Sequence, residues 1–360
     1  MATPWGGRER GFPMSKSRML SVLLVMALVL AIATSATAAE TFKVGVVGPR
    51  TGPVATYGVS VINAVILAVE EINAAGGVLG RQIELIVEDN KGERSETNNA
   101  FRKLISRDQV HAIIGAVVTA NSIVGAQLAQ MMKVPMITPT STAEKVTQEG
   151  DYIFRSCLID PIPARIMANF AYDSLGFREV ACLTAQSNDY SVGLEEVFTK
   201  TFEELGGKVV AAESYSEGDQ DFRAQLTKIR AKKPEALYVP GYYTEAGLIA
   251  RQMRQLGMDQ PILGPDGFDS PKLFEIGGDA ILGSYFTNHY SSQAEDELVL
   301  NFVASYRDKY GQDPDGFAAL AYDAALILFD ALERAGDAAL AKDRAAARKA
   351  IRAIGYEQEG

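Results

Sequence analysis

Ile113-Ile114-Gly115 and Val134-Pro135-Met136-Ile137 are two short apolar runs, and each ends in small and hydroxyl residues. After the first come Ala116-Val117-Val118-Thr119-Ala120-Asn121-Ser122, and after the second Thr138-Pro139-Thr140-Ser141-Thr142. Between them Ser122 to Met132 has the spacing of an amphipathic helix. Strand, small-residue turn, helix and strand make up half of a parallel α/β unit. In such sheets a ligand lies off the carboxyl ends of the strands, where helix N-termini offer free N–H groups and a positive dipole end. Two neighbouring strand ends rich in Thr and Ser therefore suit a small anion such as a carboxylate. The same residues also serve as helix caps and turn formers, and this stretch alone leaves both readings open.

The pattern repeats on both sides. Upstream, Phe42 to Val47 reads as a buried strand, with Gly48 to Pro53 as its tip and Val54 to Gly58 as a turn before a helix over Ser60 to Asn73. Gln82 to Val87 is the next strand, with Glu88-Asp89-Asn90 as a polar tip, and Thr97 to Ser106 is a helix. Downstream, Tyr152 to Asp160 is an extended interruption ending in Pro161-Ile162-Pro163, after which a second series begins. Its strands are Glu179 to Thr184, Val209 to Ser214, Ala236 to Val239, Ile262-Leu263 and Gly283 to Thr287. Helices fall at Ala164 to Leu175, Ser191 to Leu205, Phe222 to Ala231 and Thr244 to Leu256. The chain then turns helical over Glu295 to Tyr310, Phe317 to Ala335 and Ala338 to Ala353. Alternating strands and helices imply parallel sheets with right-handed crossovers, and two such series imply two lobes with the chain crossing between them.

The N-terminus stands apart. Arg8, Arg10, Lys16 and Arg18 precede an apolar run from Leu20 to Ala33, and Ala36-Thr37-Ala38-Ala39 follows with small residues at a cleavage position. This order is that of a secretory signal peptide, so residues 1–39 are expected to be removed on export to the periplasm, with Met14 a plausible start. The 360 residues carry 35 Lys and Arg against 45 Asp and Glu, a formal charge of −10, which gives no basic face for nucleic acid. Cys157 and Cys182 lie in apolar contexts, and their pairing is left open. No nucleophile elbow, phosphate loop, dinucleotide fingerprint or zinc-helix motif occurs, so neither catalysis nor a cofactor is expected. His111 precedes one strand and His289 follows another; both are expected at the surface or a hinge.

What recurs is a set of strand tips bearing hydroxyls, aromatic rings and one acid. Tyr57, Thr119, Thr140 and Thr142 belong to the first series, and Tyr190, Tyr242 and Asp266 to the second. A zwitterion needs donors for its carboxylate, an acid for its ammonium and apolar walls, because burying either charge unpaired costs several kcal/mol.

Several ordered motifs then carry a family likeness. Lys43-Val-Gly-Val-Val-Gly-Pro-Arg-Thr-Gly-Pro-Val-Ala-Thr-Tyr57-Gly, Ile137-Thr-Pro-Thr-Ser-Thr142, Asn188-Asp-Tyr190-Ser-Val-Gly, Gly241-Tyr-Tyr-Thr-Glu245 and Gly264-Pro-Asp266-Gly together resemble the leucine/isoleucine/valine-binding family of periplasmic solute receptors. The likeness runs from about residue 41 nearly to the end. It implies a type I periplasmic binding protein fold, with two doubly wound α/β lobes and chain crossovers at the hinge. One lobe would comprise 40–159 plus 290–360 and the other 160–289. It further implies a monomer that captures an amino acid, aliphatic or branched, and hands it to the membrane permease of an ABC importer. By motif match, Thr119 and Thr142 hold the α-carboxylate, Thr140 gives its carbonyl to the ammonium, Asp266 pairs with that ammonium, Tyr242 adds a polar contact, and Tyr57 and Tyr190 wall the pocket. Val117, Val118 and Phe317 are further wall candidates.

The chain departs from the pattern in places. Asp266 stands where the branched-chain members carry the longer Glu, and Thr140 replaces a smaller residue. The family's early disulfide has no counterpart, and the chain stops at Gly360, short of the last return into the second lobe, which reads as a truncated sequence. The alternative within the same fold is a receptor for an amide, urea or an aromatic acid; a different class is a ligand sensor regulating a membrane partner without transport, and a third an exported α/β hydrolase.

Overall fold

The computed structural model describes residues 41–336 together with Ala346, Lys349, Ala350 and Ala353. The leader at 1–39 and most of the helix expected at Ala338 to Ala353 lie outside the described residues.

Among the described residues ten strands form two five-stranded sheets, and every strand pair within them is parallel. The first holds β1 (Phe42–Gly48), β2 (Ile83–Asp89), β3 (Ala112–Gly115), β4 (Met136–Thr138) and β5 (Ile153–Arg155), in the order β2-β1-β3-β4-β5. The second holds β6 (Glu179–Ala185), β7 (Lys208–Tyr215), β8 (Ala236–Tyr238), β9 (Ile262–Gly264) and β10 (Tyr285–Phe286), in the order β10-β9-β8-β6-β7. Counted from the start of each half, both sheets have the same order: the first strand lies between the second and the third. In a doubly wound sheet the crevice opens where the winding reverses, here between β1 and β3 and between β6 and β8. The two copies of that switch point are where the predicted residues fall.

The central strands are apolar on both faces because helices cover both. Val44, Val46 and Val47 of β1 and Ala181, Cys182 and Leu183 of β6 are fully buried. The helix Ala55–Ala74 buries Val61, Ile62, Val65, Ala68 and Val69, and the helix Gly316–Ala335 packs along it. Ala318, Ala321, Ala324 and Ala325 line that second helix and allow the backbones to approach closely. The chain thus returns from the second sheet to the first after residue 290. Each buried Val, Leu or Ile along this seam contributes about 1.5–3 kcal/mol.

Three elements differ from expectation in ways that matter for the site. The first helix begins at Ala55, not Ser60, so Tyr57 lies in its opening turn instead of in a loop. Gly58 permits this, since a Cβ there would meet the Pro49 carbonyl oxygen at 2.1 Å. The helix after β3 begins at Thr119, not Ser122, so Thr119 is its first residue and its N–H is one of the free donors at the N-terminus. The interruption at Tyr152 to Asp160 contains a fifth strand, whose Arg155 sends its guanidinium back to the carbonyls of Ser141 (3.0 Å), Ala143 (2.9 Å) and Glu144 (3.1 Å). Apolar periodicity could not reveal this strand because only three residues of it pair.

Candidate functional site

The strand ends of the first sheet provide a neutral hydroxyl rim. Thr119 opens the helix after β3, and Thr140 and Thr142 follow β4. The loop between β4 and the next helix is fixed from beneath by its own hydroxyls. Thr138 Oγ1 donates to Ala116 O (2.9 Å), while Thr140 Oγ1 (2.7 Å) and Ser141 Oγ (3.0 Å) both donate to Val117 O. The Thr140 hydroxyl is therefore directed at its own scaffold, which leaves its backbone as the part available for a ligand. Arg155 grips the far side of the same loop. Thr142 Oγ1 is buried, has no hydrogen bond of good geometry among the described residues and lies beside the carboxyl of Asp160. A buried donor without a partner is costly in a finished core and is useful where an anion will arrive.

The second sheet contributes rings and charge. Asn188 caps the helix Asp189–Glu204 by accepting the Tyr190 N–H at 3.0 Å, which places the Tyr190 side chain in the first turn. The Tyr190 hydroxyl donates to Asp266 Oδ1 at 2.8 Å and accepts the Gly267 N–H at 3.1 Å. Asp266 itself opens a one-turn 3₁₀ segment after β9. Gly267 is required there, because a Cβ would meet the Gly241 carbonyl oxygen at 2.5 Å. Tyr190 stacks on Tyr242 with ring centroids 5.3 Å apart.

Tyr57 joins the two rims. Its ring stacks on Phe317 at 4.1 Å and meets Tyr242 and Tyr243 edge-on. Its hydroxyl donates to Gly267 O and accepts the Tyr243 N–H at 3.4 Å. Thr56 and Ser270 hydroxyls lie 3.0 Å apart across the same gap, and the Thr244 hydroxyl donates to Pro53 O at 2.8 Å. Burial raises the pKa of Tyr57, Tyr190 and Tyr242 well above the ordinary phenol value, so all three remain neutral O–H groups.

Val117, Val118, Thr119, Thr140, Thr142, Tyr190, Tyr242, Asp266, Gly267 and Phe317 enclose one cavity, with Tyr57 against its Gly267 and Phe317 walls. All seven residues singled out from sequence thus converge on one place between the sheets. The space is only about 10 Å³, room for about one water, so the rims are closed against each other.

Other residues were not foreseen. His289 is not at the surface: its side chain is 5% exposed, and Nε2 stands 3.6 Å from Asp266 Oδ2. Asp160 is likewise buried, and burial pushes its carboxyl up to about 7 despite the neighbouring Thr142 hydroxyl. His111 is buried too; its Nδ1 accepts the Lys43 N–H at 3.0 Å and its ring edges against Phe42, a core role far from the cleft. No local signal marks Asp160 or His289, because each lies in an irregular segment and gains its neighbours only through the fold. Cys157 and Cys182 are free thiols, and burial raises both, Cys157 to about 12. Among the described residues no cluster of His, Cys, Asp and Glu is arranged to hold a metal ion.

Two like-wound α/β halves that close strand end to strand end over a pocket define a two-lobed solute receptor. The chain belongs to the family described as periplasmic binding protein, whose model matches residues 41–359. It is 30% identical over 343 residues, covering 95% of this chain and 90% of the relative, to a leucine-, isoleucine-, valine-, threonine- and alanine-binding protein of Pseudomonas aeruginosa. Among solved structures it is similar to a leucine-binding protein, LivK, of Thermotoga maritima, with a TM-score of 0.82, 42% identity and 87% coverage of both chains. It is also similar to LivJ of Streptococcus pneumoniae, a branched-chain amino acid transporter substrate-binding protein in complex with isoleucine (TM-score 0.80, 34% identity, 85% of this chain and 87% of that one). The fold expectation is borne out: this chain has two parallel α/β sheets, and these neighbours are type I periplasmic binding proteins.

Proposed function

We propose that this protein captures a free α-amino acid with an aliphatic or branched side chain and delivers it to the permease of an ABC importer, without chemical turnover. In this reading residues 1–39 are a cleaved signal peptide, 40–159 with 290–360 form one lobe, and 160–289 form the other. Thr119 and Thr142 take the α-carboxylate, through hydroxyls and the N–H groups at the helix start. The Thr140 carbonyl and Asp266 take the ammonium, Tyr242 adds a polar contact, and Tyr57 and Tyr190 form walls.

The observation that carries the reading is the division of charge across the cleft. Among the described residues, one rim holds the buried, unpartnered Thr142 hydroxyl beside the free N–H end of a helix, and the facing rim holds a buried carboxylate. A zwitterion bridging the two satisfies both and favours the closed state, because only that state offers both ends a partner. A dissociation constant near micromolar corresponds to about −8 kcal/mol, within reach of one paired zwitterion and a desolvated side chain.

The test is a thermal-shift screen of free amino acids, their amides and aromatic acids against the purified mature chain. Leucine, isoleucine or valine at about 100 times its dissociation constant should stabilise by about 2.7 kcal/mol. If amides or aromatic acids raise the melting temperature and no free amino acid does, the zwitterion reading fails.

A further inference from the structure

Asp266 stands between two spaces. On one side is the closed cleft; on the other is a cavity of about 290 Å³ lined by Leu158, Ile166, Tyr285 and His289, where Ile166 and Tyr285 are exposed to solvent. Its carboxylate is divided accordingly. Oδ1 is taken by the Tyr190 hydroxyl, and Oδ2 faces His289 Nε2 at ion-pair distance. Among the described residues neither imidazole nitrogen has a hydrogen bond of good geometry, although the ring is almost fully enclosed. A buried ring with two unsatisfied nitrogens beside a carboxylate is unusual for a structural histidine, which would normally fix one tautomer by a hydrogen bond.

We propose that His289 holds the Asp266 carboxylate as a protonated counter-ion in the unliganded protein, and that an arriving ligand ammonium takes its place, so that binding is coupled to loss of one proton from the imidazole. This deepens the amino-acid reading and rests on it. The charge balance is simple. Before binding, one imidazolium faces one carboxylate. After binding, one ammonium faces the same carboxylate, the imidazole is neutral, and its proton has left through the cavity behind it. Keeping both cations beside Asp266 would leave an excess positive charge in a desolvated space, which is the costlier arrangement.

The groups that face the ring come from every element around it. Asp266 and Asp269 flank the turn after β9, Asp160 begins the helix Pro161–Asn169, and Arg155 stands beside Asp160. Burial works against the imidazolium, yet the three carboxyl groups outweigh it, and the net shift of His289 is upward from 6.5. Asp160 titrates near 7 and pushes in the same direction, because its ionisation with rising pH also favours an ammonium. A ligand that competes with a proton binds more tightly as pH rises, by up to about tenfold per unit while the competing group is protonated. Ligands without a protonated amine gain nothing from the exchange, so it also selects α-amino acids over the corresponding carboxylic acids.

The experiment is calorimetric titration of L-leucine between pH 5.5 and 8.0, in paired buffers of different ionisation enthalpy, on wild type, H289Q and D160N. Wild type should release protons at pH 6 and gain affinity with pH. H289Q should lose most of that release and flatten the profile, whereas D160N should keep most of it and lose only the smaller share that Asp160 ionisation contributes. In the wild type, NMR titration of the two histidines should show the His289 pKa falling when leucine is added while His111 stays put; this arm does not depend on H289Q folding. A His289 pKa that is unchanged or raised by leucine, or an H289Q profile identical to wild type, overturns the exchange and leaves amino-acid binding intact. If leucine, isoleucine and valine bind at no pH, the underlying reading is wrong and the exchange falls with it.

Discussion

The two rims of the cleft are built on sheets of the same winding, yet they solve opposite electrostatic problems. The first presents Thr119, Thr140 and Thr142, neutral groups whose N–H and O–H donors come from one helix start and one tight loop. The second presents Tyr190, Tyr242, Asp266 and, behind them, His289, a ring-walled pocket with ionisable groups, while Asp160 stands at the seam beside Thr142. Neutral hydroxyl and N–H groups cost little to bury and do not themselves titrate. A charged rim is strong only when its charges are matched, and the matching changes with pH and ligand. The same scaffold thus assigns fixed recognition to one half and adjustable recognition to the other.

The largest effect should come from breaking the charged rim. Asp266→Ala removes the one carboxylate that lines the cleft among the described residues and should weaken leucine binding by about 2–5 kcal/mol, the range for stranding a buried charge. Calorimetry showing unchanged affinity would remove Asp266 from the site. On the neutral rim, Thr119→Val deletes one hydroxyl and keeps the backbone N–H. It should cost carboxylate-bearing ligands about 1.5–3 kcal/mol, the worth of a hydrogen bond to a charged group, while amino-acid amides lose less. Equal losses for acid and amide would show that the carboxylate is not held there.

The same contrast explains what could be read without coordinates. The neutral rim was legible because its residues lie within one continuous stretch, Thr119 to Thr142, and each follows an apolar strand. Tyr190, Tyr242 and Asp266 were reachable because each stands at the tip of its own strand. His289 and Asp160 were not, since the first follows a two-residue strand and the second sits ahead of a Pro-initiated helix, with no periodic pattern around either. Helix starts were misread late at Tyr57 and Thr119 for a related reason: Val54 and Val118 precede those helices without side-chain caps, so nothing in the sequence marked the boundary. The strand β5 escaped because its role, carrying Arg155 to the loop around Thr142, is tertiary.

The comparison extends to stability. The first half also has a buried carboxyl, Asp315, which caps the helix Gly316–Ala335 by accepting the Ala318 N–H at 2.8 Å and also accepts from Ser60. Burial, against the Ser60 hydrogen bond, pushes Asp315 up to about 7. Its folded-state affinity for a proton exceeds that of the unfolded chain, so its stabilising contribution is complete below the unfolded value near 3.8 and is lost as pH rises through about 7. Asp160 has the same sign and window. The unliganded protein should therefore unfold more easily at pH 8 than at pH 5.5. Asp315→Asn, which keeps a capping acceptor, should flatten that slope and gain about 1–2 kcal/mol at pH 8. Urea unfolding at the two pH values measures it; a slope unchanged in Asp315→Asn would place the pH dependence elsewhere.

The smallest and most discriminating change is Tyr57→Phe. Tyr57 belongs to the first half, but its hydroxyl serves the second, donating to Gly267 O and accepting from Tyr243 N. Its ring contacts, the stack on Phe317 and the edges toward Tyr242 and Tyr243, survive the substitution. Only the polar link between rims is lost, so folding stability should change by no more than about 0.5–1.5 kcal/mol, the worth of one neutral hydrogen bond. Because that link exists only when the rims meet, its loss should fall on closure, weakening every ligand by the same factor of a few whatever its amine or carboxylate. Affinities of leucine, leucine amide and 4-methylpentanoate measured side by side decide the point. A uniform drop assigns Tyr57 to the latch between the halves. A loss confined to one of the three would instead make its hydroxyl part of the recognition of that ligand's own polar group.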